Sequence, residues 1–158
     1  MQVKDNIVLR RASMEDAELL FKWKNDKETI KNSITKRGVT MEEHLNWLQR
    51  VIDNPYRQLY ILEIDGEPVG QLRLDIEENL TAEISYGLGI EHRGKGFGKI
   101  LLEQAELLVN LFGIAELTAE VLPHNMASCK LFQKLGYTEE KKDDLYVYRK
   151  RCKWKQVQ

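Results

Sequence analysis

The stretch His92-Arg93-Gly94-Lys95-Gly96-Phe97-Gly98-Lys99 decides how this chain is read. Behind it, Phe97, Leu101, Ala105, Leu108 and Phe112 recur every four or three residues, one apolar stripe of a helix that stops at Gly113. Ahead of it, Thr81 to Ile90 reads as a strand. Three glycines at alternate positions let the backbone bend tightly and bring its N–H groups close to a ligand. The unpaired donors and dipole of the helix start favour an anion such as a pyrophosphate. Arg93, Lys95 and Lys99 add positive charge.

Two other glycine motifs fail letter by letter. The dinucleotide pattern G-x-G-x-x-G needs glycine at position 99, where Lys99 stands. The P-loop pattern finds Gly89, Gly94 and Lys95 in place, but the Ser or Thr that would hold magnesium is Gly96. A phosphate-binding nucleotidase is therefore a near miss.

Outward from the turn, the chain alternates between helical and strand periods. Ile7 to Arg11 reads as a strand, and Ser13 caps a helix from Met14 to about Asn25. Thr40 and Glu43 fit a capping box, and Met41, Leu45, Leu48 and Ile52 follow at helical spacing before Pro55. Leu59 to Ile64, Asp65-Gly66 and Pro68 to Asp75 read as a β-hairpin. Downstream come a strand at Leu117 to Val121, a short helix from Asn125 to Lys134 closed by Gly136, and a strand from Leu145 to Lys155. With no repeat or linker, 158 residues make one α/β domain over 1–158.

Composition narrows the function classes. Hydrophobic residues at 42% and charged residues at 31% describe a globular chain with a real core. A formal net charge of -1 gives no field for nucleic acid, so any anion site must be local. The longest aliphatic runs are too short to span a bilayer. Cys129 and Cys152 show no metal spacing, and a reducing cytoplasm is the expected compartment. No metal site is expected, and a homodimer is left open.

With those motifs in hand, the chain resembles the GNAT superfamily of acetyl-CoA-dependent N-acetyltransferases. Arg93-Gly94-Lys95-Gly96-Phe97-Gly98 matches the family's R/Q-x-x-G-x-G/A signature, and Asn125 to Tyr137 is similar to its second block. The resemblance implies a mixed, mostly antiparallel sheet, splayed open between its fourth and fifth strands, with flanking helices. It implies acetyl-CoA as cosubstrate: Leu88, Gly89 and Ile90 along the pantetheine arm, the amides of Arg93 to Lys99 around the pyrophosphate, and Asn125, Ser128 and Phe132 from the other side. Phe132 is a departure, because it stands where the family usually carries a tyrosine as general acid.

Amide formation from a thioester needs a deprotonated amine, donors for the developing oxyanion and a proton for the thiolate. Backbone N–H groups near Leu88 and Ile90 are the candidate oxyanion donors. Glu120, five residues before Asn125, is the candidate base because the chain resembles some peptide-acetylating relatives in placing a glutamate there, and an acid on a strand flanked by helices can have a raised pKa; Glu83 and Tyr86 stand in reserve. Tyr86, Tyr137 or water is left to protonate the thiolate. For the acceptor, Trp23-Lys24-Asn25-Asp26 and Glu43-His44-Leu45-Asn46-Trp47 resemble segments of GNAT enzymes that acetylate nucleotide-linked amino sugars. Trp23, Asn25, His44 and Trp47 are thus the candidate substrate contacts. A protein N-terminus, a polyamine or an amino acid is the alternative acceptor, and a non-catalytic acyl-CoA-binding module the alternative role.

Overall fold

In the computed structural model, which describes residues 6–153, the chain begins with β1 (Ile7–Arg11) and enters a helix through Ser13. Ser13 Oγ accepts from the Glu15 amide, and the Asp16 carboxylate accepts from the Ser13 amide. This box opens a 3-10 turn that runs into α1 (Ala17–Lys24). Asp16 also accepts two bonds from the Arg10 guanidinium, at 2.8 and 2.9 Å, which fix strand to helix.

Asp26 then caps α2 (Lys27–Lys31), a five-residue helix that buries no side chain and so leaves no apolar period in the sequence. Thr40 and Glu43 form the expected capping box of α3 (Met41–Asp53). The hairpin of β2 (Arg57–Ile64) and β3 (Glu67–Ile76) turns on Asp65 and Gly66. Their φ values of 52° and 82° define a turn whose twist matches that of the strands.

β4 (Thr81–Leu88) stops two residues earlier than its sequence suggests, because Ile90–His92 coils into a 3-10 turn. After α4 (Phe97–Phe112) and β5 (Glu116–Val121) come α5 (Met126–Lys134), β6 (Thr138–Lys142) and β7 (Leu145–Arg151). β6 was not expected. β7 ends before Lys155, which lies outside the described residues.

The sheet order is β1-β2-β3-β4-β5-β7-β6, antiparallel except where β4 meets β5. That parallel contact holds only for Thr81 with Glu116, Ala82 with Leu117 and Glu83 with Thr118. Beyond Glu83 the strands part, as the resemblance implied, and the β4 edge from residue 84 to 88 faces a gap. Leu101, Leu102, Ala105 and Val109 of α4 pack on Leu72, Leu74, Ala82 and Ile84 on one face of the sheet. Leu20, Trp23, Leu48 and Val51 of α1 and α3 cover Leu59 and Ile61 on the other. Each fully buried leucine of these layers contributes about 2 kcal/mol of transfer free energy, so the gap opens between two firmly packed walls.

Candidate active site

The gap is held open by the ends of four elements. At its mouth a cleft of about 540 Å³ is lined by Tyr86 to Leu88 of β4, Arg93 and Gly94 of the glycine-rich turn, 124–128 at the start of α5, and part of α2 with the residues after it. Deeper, a second space of about 360 Å³ is lined by Arg73, Glu83 to Tyr86, Ala119 to Val121, Phe132 and residues 32–35. Both spaces share Tyr86, Asn125 and Ser128. The Tyr86 hydroxyl and Ser128 Oγ lie 2.9 Å apart, a hydrogen bond that spans the splay where the two spaces meet.

The glycine-rich turn has the expected conformation. Gly94 and Gly96 take φ values of 76° and 84°, the left-handed region that a side chain would strain. Gly98 serves another purpose: a Cβ there would lie 3.2 Å from Leu131 Cδ2, so the missing side chain lets α4 approach α5. Gly96 caps α4 with no side-chain bond and no acid sits in its first turn, whereas Asp26, Thr40 and Asn125 cap their helices with side chains. The first amides of α4 are thus free to meet an anion, and with the adjoining cleft they fit the diphosphate and arm of acetyl-CoA.

The charges around the turn behave differently from expectation. Lys95 and Lys99 are exposed. Arg93 turns inward: its guanidinium donates to Asp26 Oδ2 at 2.7 Å, Thr29 Oγ1 at 3.0 Å and the Leu88 carbonyl at 3.2 Å. Its charge binds the turn to α2 and is not left for a phosphate. Across the gap, His124 Nε2 meets the Lys31 carbonyl at 2.9 Å, so α2 is fastened to both sides of the opening. The Gly89 amide is committed to the Val69 carbonyl, and Ile90 is exposed in its 3-10 turn.

Of the expected catalytic groups, Tyr86 is buried enough for its hydroxyl pKa to be raised. Glu120 is exposed at the lip of the gap, not held in a buried setting. The raised carboxyl is Glu83 on the facing strand, pushed up by burial and then by the charge of Glu120. Phe132 is 1% exposed and packs against Tyr86, Tyr137 and Tyr148, with its ring closing the deeper space. Asn125 caps α5 by accepting from the Ser128 amide. Tyr137 is buried on the far side of Phe132, beside Lys150, and lines neither space.

Of the four expected substrate contacts, His44 and Trp47 stack with ring centroids 5.9 Å apart, and none of the four lines either space of the gap. Trp23 is buried, with its indole edge against Gly89, where a Cβ would come within 2.7 Å of Trp23 Nε1. The Asn25 side chain accepts from the Val39 amide and donates to the Phe21 carbonyl, which ties the α2–α3 connection to α1. His44 is 1% exposed, with Nε2 at the Ala17 carbonyl, and burial lowers its pKa. These three residues pack where a ligand was expected, because the same aromatic residues that stack on a base also fill a helix interface. Trp47 is half-buried and carries Lys24 Nζ 3.4 Å from its ring centroid. Arg73, on the gap wall, was missed; the alternating polar positions Gln71, Arg73 and Asp75 within β3 were its only sign.

Comparison with known proteins places the fold in a family. Residues 6–138 match the model of the acetyltransferase (GNAT) domain, and the chain belongs to that family. The Bacillus subtilis (strain 168) protein YwnH, provisionally named a phosphinothricin acetyltransferase, is 33% identical over 108 residues. That match covers 64% of this chain and 64% of YwnH, just under two thirds of its length. The L-amino acid N-acetyltransferase AaaT of Escherichia coli (strain K12) is 24% identical over 90% of both chains. Among solved structures, RimL, a ribosomal L7/L12 α-N-protein acetyltransferase in complex with coenzyme A, superposes with a TM-score of 0.82. At 20% identity over 96% of this chain and 97% of RimL, it attests the fold.

Proposed function

We propose that this protein transfers the acetyl group of acetyl-CoA to a primary amine of a small molecule. The observation that carries the reading is the hydroxyl pair Tyr86 and Ser128 at the junction of two spaces, one opening on the uncapped start of α4. In this reading the amides of residues 94–99 hold the diphosphate, and the β4 edge from Ile84 to Leu88, whose last carbonyl already accepts from Arg93, pairs with the pantetheine amides. Asn125 and Ser128 close the other side.

The acceptor enters the deeper space as an ammonium. Glu83 or Glu120, directly or through a water, takes its proton; the nitrogen then forms a bond to the thioester carbon while the C–S bond breaks. Backbone N–H groups near Leu88 and Ile90 face the developing oxyanion. The Tyr86 hydroxyl gives its proton to the departing thiolate, in place of the phenol absent at Phe132, and regains one, through water, from the second proton that the nitrogen sheds as it becomes an amide; Ser128 holds that hydroxyl in line.

An amino acid is the acceptor best supported, because AaaT is named for one and because Trp23 and His44 are packed within helices and Asn25 is bonded at the end of one. A nucleotide-linked amino sugar is the second reading, favoured by the half-buried Trp47 beside Arg73. The cytoplasm is the compartment this reading assigns. Among the described residues no helix is long and apolar enough to cross a membrane.

Release of free thiol from acetyl-CoA on addition of an amine panel tests the reading. Amine-dependent release with saturation in both reactants is expected. Binding of acetyl-CoA without release for any amine would leave the acyl-CoA-binding module as the better account.

A further inference from the structure

On the sheet face beside α1 and α3, Arg57, Arg73 and Lys24 gather around Asp75, with Glu77, Glu83 and Glu120 as the further carboxylates of the neighbourhood. Asp75 Oδ1 accepts from Arg57 Nε and from Arg73 Nε, both at 3.1 Å. Lys24 Nζ lies on the Trp47 ring, and Arg73 Cζ is 5.6 Å from the same centroid. Three cations thus gather on one close carboxylate, with Glu83 as a further negative neighbour of Arg73. Among the described residues Lys24 has no carboxylate partner, and no acceptor takes the terminal nitrogens of Arg73. Burial, with the repulsion of Arg73 and Arg57, pushes the Lys24 pKa down to about 8.

This cluster reaches the deeper space through Arg73, which stands opposite Ser85 in the β3–β4 register, one residue from Tyr86. Glu83 lies on β4 beside Arg73, and Glu120 faces them from β5 across the gap. The two carboxylates can attract an ammonium, while Asp75 holds Arg73 by Nε and leaves the fork of the guanidinium to a planar or tetrahedral oxyanion.

We propose that Arg73, backed by Lys24 on Trp47, is the anion subsite of the acceptor, so the amine that is acetylated also carries a carboxylate or a phosphate. The proposal rests on the acetyltransferase reading above and narrows its acceptor. A polyamine, which would bring a second cation toward Arg73 and Lys24, is disfavoured.

The test uses matched amines in the thiol-release assay: L-methionine against L-methioninamide for the carboxylate, glucosamine 6-phosphate against glucosamine for the phosphate, and spermidine as the dication. At least one anionic member should exceed its neutral partner about tenfold or more in kcat/KM. Arg73→Gln should raise the KM of that acceptor about tenfold, leave kcat within about threefold and erase the preference, with part of the loss recovered by Arg73→Lys. Equal rates within both pairs, preference for spermidine, or an unchanged preference in Arg73→Gln would overturn the subsite and leave acetyl transfer standing.

A binding readout covers the case in which no panel member is acetylated. In protein carrying ¹³C-labelled lysine, inorganic phosphate and N-acetylglycine are titrated against chloride of equal ionic strength. A saturable shift of the Lys24 resonance is expected in the wild type and not in Arg73→Gln, and its absence for both anions would also overturn the subsite. Failure of the acetyltransferase reading looks different: acetyl-CoA would not bind, or would bind without thiol release, whatever the Lys24 signal does.

Discussion

The hydroxyls of Tyr86 and Ser128 meet at 2.9 Å across the opening where β4 leaves β5. Tyr86 also sets its ring edge-on to Phe132, with centroids 6.0 Å apart, so a phenol stands beside the position that lacks one. If that phenol protonates the thiolate, Tyr86→Phe should lower kcat about a hundredfold while the KM for acetyl-CoA moves less than about threefold. Ser128→Ala should give a smaller loss of the same kind. Steady-state kinetics on variants with unchanged thermal midpoints check this, and a full-rate Tyr86→Phe enzyme would assign the proton to water.

Glu83 and Glu120 face each other across the same opening, and the charge of Glu120 helps to raise the Glu83 pKa. Removing that charge must lower it, since a like charge disfavours ionisation. In Glu120→Gln the acid limb of the kcat/KM profile should therefore move to lower pH if Glu83 is the base. If Glu120 itself is the base, the rate at neutral pH falls and the limb disappears. A pH–rate profile of the variant distinguishes the two.

At the other edge of the fold, the Asp16 carboxylate closes the capping box by accepting from the Ser13 amide and also accepts both prongs of Arg10. The Arg10 bonds, with the Ser13 amide, hold its carboxyl below the ordinary aspartate range. The stability this contributes is present above that range and is lost as pH falls toward the folded value. Asp16→Ala should cost about 2–3 kcal/mol at neutral pH, the sum expected for a lost cap and a broken charged hydrogen bond. Urea unfolding should show the gap to the wild type narrowing as the solution is acidified.

Lys24 predicts a slope of the same sign in a higher pH window. Its folded pKa of about 8 lies below the ordinary value of 10.5, so between those limits the unfolded chain binds more protons than the folded one. Stability contributed by this group therefore rises with pH through that window. Compared with the wild type, Lys24→Met should lack that rise, which parallel denaturation curves from pH 7 to 10 would reveal.

Some of this was legible in the sequence because local chemistry demanded it. The turn at Gly94 and Gly96 needs a left-handed backbone, the caps at Ser13 and Thr40 need their own side chains, and the stripe on α4 needs a core to face. β6 was hidden because Thr138 to Lys142 are all exposed: a charged edge strand with one neighbour alternates nothing. α2 was hidden because it buries no side chain.

Within the site, contacts between residues distant in the chain were out of reach. Tyr86 and Ser128 are 42 positions apart, and Arg93 and Asp26 are 67. Sequence could nominate Tyr86 and Arg93 but not say that one would bridge the gap and the other turn away from the phosphate. Nor could aromatic spacing alone show that Trp23 and His44 fill a helix interface.

The central claim is that acetyl-CoA is gripped by the backbone where the glycine-rich turn enters α4. Amide resonances of uniformly ¹⁵N-labelled protein, followed during titration with acetyl-CoA, read that contact without altering a residue. The signals of Gly94, Gly96 and Gly98 should shift together and saturate with those of Asn125 and Ser128, and pyrophosphate should compete at the three glycines. Saturable binding that leaves the glycine amides unmoved and shifts residues elsewhere would contradict the account.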